Sequence, residues 1–66
     1  MTNCEHLIEN ALMTMQRARR YGADVYEAFQ DEMNWKGNKA MLNEAHMTKE
    51  ELWEIAQYIM YEWNGQ

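Results

Sequence analysis

Residues 48–63, TKEELWEIAQYIMYEW, combine a helical hydrophobic repeat with a marked start, and whatever else the chain does must accommodate that helix. Leu52, Ile55, Ala56, Ile59, Met60 and Trp63 recur at spacings of three and four, which places them on one helical face. Trp53 flanks the stripe; Glu50, Glu54, Gln57 and Tyr61 line the opposite side. Thr48 stands three residues before Glu51, the spacing of a capping box. There the hydroxyl accepts the Glu amide and the carboxylate accepts the Thr amide. Met47 and Leu52 hold the two positions of a hydrophobic staple. Glu50, Glu51 and Glu54 put negative charge at the positive end of the helix dipole. Asn64 and Gly65 suit a left-handed cap at the far end. The apolar arc is broader than a coiled-coil seam, so a single partner helix would leave Trp53 or Ile55 wet.

The neighbours that this face needs are encoded upstream by the same signals. Thr2 and Glu5 make a second capping box, opening a helix over 3–20. Cys4, Leu7, Ile8, Ala11, Met15 and Ala18 share one face of it; Glu5, Glu9, Asn10, Gln16, Arg17 and Arg20 fall mostly opposite, with Met13 beside them. Arg17, Arg19 and Arg20 favour the negative dipole end, and Gly22 supplies the C-terminal cap. Asp24 and Glu27 repeat the theme at the start of a helix over 25–35, with Val25, Tyr26, Phe29 and Met33 inward and Gly37 as its stop. The short connection makes these two helices antiparallel neighbours. Ala40, Met41, Leu42 and Ala45 indicate a short helix over 39–45 without a strong cap. No stretch alternates apolar and polar residues as a strand does.

The expected fold is therefore all-α: one domain over 1–66, a compact bundle of three main helices plus one short helix, at about 3–20, 25–35, 39–45 and 49–63. The expected core is Leu7, Ile8, Ala11, Met15, Val25, Phe29, Met33, Leu42, Leu52, Ile55, Ala56, Ile59 and Trp63. Sixty-six residues bury only a modest core, and one Cys leaves no internal disulfide. Stability must come from packing, helix ends or a second copy of the chain.

Charge and motifs restrict function. A net charge of −5 disfavours nucleic acid and anionic membranes, whose phosphates need Lys and Arg, and suits a basic protein partner. No apolar run approaches the ~18 residues of a membrane span and no signal peptide is visible, so the expected location is cytoplasmic. Cys4, His6 and His46 are the soft metal ligands, and their spacing matches no metal motif; neither metal nor cofactor is expected. Glu5 with Glu9, Glu27 with Asp31, and Glu50 with Glu54 read as solvated helix pairs rather than catalytic dyads. With no phosphate loop and no nucleophile motif, the chain reads as a non-enzyme. Residues 38–60 resemble a helix-turn-helix in layout, yet Lys49 is followed by Glu50, Glu51 and Glu54 where a recognition helix would meet phosphate.

Tyr26, Trp35, Trp53, Tyr58, Tyr61 and Trp63 are too many for so small a core to hide. They either shield that core by lying flat over it or mark an interface. The candidate partner-binding surface is Glu27, Asp31, Glu50, Trp53, Glu54 and Tyr61: Tyr61 with Glu50, Glu54 and Gln57 makes an acidic–aromatic patch, and Glu27, Asp31 and Asn34 make a second acidic face. The expected function is a small acidic protein–protein interaction module. It would be a regulator or inhibitor, of the kind that small phage or mobile-element proteins provide, covering a basic site on a partner. The alternatives are a helical homo-oligomer, such as a homodimer, with a structural role, and a helix-turn-helix DNA-binding regulator.

Overall fold

Side-chain hydrogen bonds cap the starts of the first, second and fourth helices. In the computed structural model, which describes residues 2–63, α1 spans Asn3–Arg20, α2 Val25–Met33, α3 Lys36–Glu44 and α4 Lys49–Tyr58; a π-helical turn, Ile59–Trp63, continues α4. Both expected capping boxes are made. The Thr2 amide donates to Glu5 Oε1 at 2.9 Å while the Glu5 amide donates to Thr2 Oγ1 at 3.2 Å. At α4 the Thr48 amide donates to Glu51 Oε1 at 2.9 Å and the Glu51 amide to Thr48 Oγ1 at 3.1 Å. Asp24 caps α2 through its Oδ1, which accepts the Glu27 amide at 3.0 Å.

Two helices end in the same six-residue motif. After α1, the Ala23 amide donates to the Ala18 carbonyl at 2.8 Å and the Gly22 amide to the Arg19 carbonyl at 3.3 Å, with Gly22 at φ 72°. After α3, Met47 donates to Leu42 at 3.0 Å and His46 to Asn43 at 3.1 Å, with His46 at φ 54°. Both are Schellman caps, in which the residue past the cap turns left-handed and two orphan carbonyls gain donors. Glycine adopts that conformation freely; histidine does so at a cost, offset here by Met47, which packs against the same core as Leu42.

The core draws on every helix. Leu7, Ala11, Met15 and Ala18 come from α1, Phe29 and Met33 from α2, Leu42 from α3, Leu52 and Ala56 from α4, and Met60 from the π turn. The helix with the most extensive contacts is α1, which packs on α2, α3 and α4. Its buried residues recur over the whole helix, whereas α4 supplies a shorter row. Three of the core side chains are Met, so part of the methionine content fills irregular interior gaps.

Several expectations need correction. Ile8, Val25, Ile55 and Ile59 are half-buried rather than interior, while Met60 is 2% exposed. In α4 the buried row is Leu52, Ala56, Met60, four residues apart, and Ile55 and Ile59 border it. The wider i→i+5 winding past Tyr58 also changes the rotation per residue, so a 3.6-residue repeat does not carry through it. The Trp63 side chain and the Asn64/Gly65 cap lie outside the described residues. Gly37 does not stop α2: that helix ends at Met33, and Gly37 sits in the first turn of α3, which starts at Lys36 rather than residue 39.

The early start of α3 has a physical cause at Asn38, the one buried polar residue among those described, at 5% exposure. Its Nδ2 donates to the Glu32 carbonyl at 2.7 Å and to Glu32 Oε2 at 3.0 Å, and its Oδ1 accepts from Asn10 Nδ2 at 3.0 Å. One amide thus ties α1, α2 and α3 together. Asn10, expected on the outer face of α1, is half-buried for this reason.

Candidate functional site

The surface of α4 opposite its buried row is acidic and aromatic. Glu50, Glu54, Gln57, Tyr58, Tyr61 and Glu62 are exposed on it. Two shallow concavities share Glu54. One, about 180 Å³, lies between α2 and α4 and is bounded by Tyr26, Gln30, Lys49, Glu50 and Trp53. The other, about 340 Å³ and open to solvent, runs past Gln57, Tyr58, Tyr61 and Glu62. Together they form one strip along the helix.

The strip is rigidly backed. Trp53 is half-buried: its ring meets Phe29 of the core at 5.1 Å between centroids and the Tyr26 ring edge-on at 4.9 Å and 80°. Such tilted and T-shaped contacts suit the aromatic quadrupole. Lys49 Nζ donates to Gln30 Oε1 at 3.1 Å, which closes one end of the α2–α4 recess. At the other end the Arg19 guanidinium lies 5.3 Å from the Tyr61 ring centroid, a cation–π contact between α1 and the π turn. Carboxylates and aromatic faces side by side are the two features that recognise a Lys or Arg side chain.

The six candidate residues do not form one site. Glu50, Trp53, Glu54 and Tyr61 share the α4 strip, with Trp53 acting as its wall. Asp31 borders a different groove, between α1 and α2. Glu27 is exposed on the first turn of α2, one helical turn before Asp31. Tyr26 and Tyr58, half or more exposed, complete the strip. Tyr21, the most exposed of the large apolar side chains at 76%, was missed by sequence reasoning. Its signal was its place at the cap of α1, directly before Gly22, where a side chain has left the helical repeat.

Among the described residues no three His, Cys, Asp or Glu side chains converge as metal ligands would, and no helix is long and apolar enough to cross a membrane. Cys4 is half-buried in α1. Glu5 titrates below its ordinary value of 4.5, first because the Thr2 amide and then because the Thr2 hydroxyl bonds its ionised form. That shift belongs to a helix cap and not to a reactive site.

Fold and surface together define a small, compact all-α fold with an acidic, aromatic-studded helix face. Compared with protein families, curated proteins and solved structures, the chain shows no significant match to any.

Proposed function

We propose that this chain is a small acidic interaction module that acts by occlusion, laying the α4 strip over a Lys- and Arg-bearing site on a partner protein in the cytoplasm. It performs no chemistry of its own. The reading is supported above all by the α4 strip, where the carboxylates of Glu50 and Glu54 lie beside Tyr58 and Tyr61 on a helix anchored by Trp53. The Arg19–Tyr61 contact is an internal example of the pairing that a partner cation would make. A net charge of −5 adds long-range attraction for a basic target and speeds encounter at low salt.

The test compares two single charge reversals of equal size in a pull-down read by mass spectrometry. Glu54→Lys alters the centre of the strip, and Glu9→Lys alters an exposed position on α1. A partner with a basic surface that is held by wild type and by Glu9→Lys, and that is lost with Glu54→Lys or at raised salt, is the expected result. Equal capture by all three proteins would remove the strip from consideration.

A further inference from the structure

A second surface, chemically unlike the first, lies at the seam of α1 and α2. It is a groove of about 370 Å³ in which Ala18, Ala23 and Ala28 supply the small side chains. Two large aromatics stand beside it, Tyr21 at 76% exposure and Trp35 at 69%. Three alanines leave a recess because they project little beyond the backbone, and the exposed indole next to it is the size of side chain that such a recess accepts. The walls carry opposite charge: Arg17 on α1 faces the groove from one side, Asp31 and Glu32 on α2 from the other. Lys36 lies next to Asp31 and Trp35 on the outer margin.

We infer that a second copy of this chain occupies the groove, with Trp35 of each copy seated between α1 and α2 of the other and Arg17 of each opposite the other's Asp31. A two-fold interface uses one patch on both subunits, so that patch must hold knob and socket, and cation and anion, at once. This patch holds all four. Its two cations and two carboxylates also balance, so it is a surface through which two chains of net charge −5 can approach without local repulsion. An ordinary stable interface buries about 800 Å² per partner, roughly a sixth of the 4756 Å² surface here. Met13, 54% exposed and two turns before Tyr21 on the same stripe of α1, extends the apolar area in that direction. The groove shares no lining residue with the α4 strip, so the dimer and the proposed partner binding succeed or fail separately.

Sedimentation equilibrium from low micromolar to millimolar chain concentration tests the inference. The wild type should pass from one chain of 8.0 kDa to twice that mass. Trp35→Ala should weaken association by about tenfold or more, as removal of a central aromatic anchor does. Arg17→Asp and Asp31→Arg should each weaken it, and the double variant should regain most of the wild-type affinity, because both pairs re-form with exchanged signs. Circular dichroism checks that each variant stays helical; if Trp35→Ala loses its fold, the charge-exchange series decides alone. A wild type that remains one chain throughout overturns the inference and leaves the groove to some other molecule. So does a dimer indifferent to Trp35→Ala and to both single reversals.

Discussion

Removal of the Asn38 side chain should destabilise the whole domain, although Asn38 is a polar residue in a helix rich in polar residues. Asn38→Ala deletes three hydrogen bonds: to the Glu32 carbonyl, to Glu32 Oε2, and from Asn10 Nδ2. A neutral bond contributes about 1 kcal/mol and one to a charged group about 1.5–3 kcal/mol. The gross loss is reduced because Glu32 and Asn10 are only half-buried, and because the Glu32 carbonyl keeps the Trp35 amide at 3.2 Å. The net cost is about 2–3 kcal/mol. At ~0.05–0.15 kcal/mol per residue a chain this short has only ~3–10 kcal/mol in total, so the loss is a large share. The melting midpoint should fall by on the order of 10–20 °C, followed by circular dichroism. Asn38→Asp should be worse, since it exchanges the donor for a second carboxylate beside Glu32 Oε2. A double-mutant cycle with Asn10→Ala should show a coupling of about 1 kcal/mol. If Asn38→Ala melts within ~2 °C of wild type, the three-helix junction does not exist in solution and the start of α3 has another cause.

Three further outcomes are expected. Met60→Ala should cost about 2–5 kcal/mol, and Ile59→Ala clearly less, because Met60 is interior and Ile59 marginal; urea unfolding ranks them, and the reverse order would mean that the π turn winds as an ordinary α-helix. His46→Gly should hold or raise the melting midpoint while His46→Val lowers it by about 1–2 kcal/mol of stability, since a β-branched residue resists a φ of 54°. The Glu5 carboxyl should titrate below 4.5 by NMR. The cap it closes is at full strength above the ordinary Glu range and is lost as pH falls through the lowered value; Thr2→Ala should reduce the offset without abolishing it, because the larger contribution is the backbone amide, which Ala keeps. A Glu5 titration unchanged by Thr2→Ala would show that the hydroxyl–carboxylate contact is not made in solution.

What could be read from the chain is what depends on neighbours in sequence. The Thr2–Glu5 and Thr48–Glu51 boxes, the Gly22 cap and the Asp24 cap each involve groups within five residues of one another, so spacing alone specifies them. The same holds for the inward faces of α1 and α2, where Leu7, Ala11, Met15, Phe29 and Met33 follow the 3.6-residue repeat into the interior. Trp53 flanks the apolar stripe, and the repeat alone leaves open whether it shields the core or marks an interface; it is a half-buried wall because Phe29 and Tyr26 reach it from another helix. The helical repeat already puts Glu50, Glu54 and Tyr61 on one face and Glu27 and Asp31 on another; what it does not carry is the relief of those faces, the recess between α2 and α4 beside Glu54 and the groove between α1 and α2 that Asp31 borders.

Helix existence, the starts of α1, α2 and α4, and net charge were therefore settled by the sequence itself, since hydrogen bonds and dipoles within one turn act over a few ångströms of contiguous chain. Tertiary packing settled which apolar positions became interior, why α3 begins at Lys36, and how His46 came to stand in a left-handed turn. Burying Asn38 costs desolvation locally and is offset in part by Asn10, 28 residues away, so no local signal could announce it.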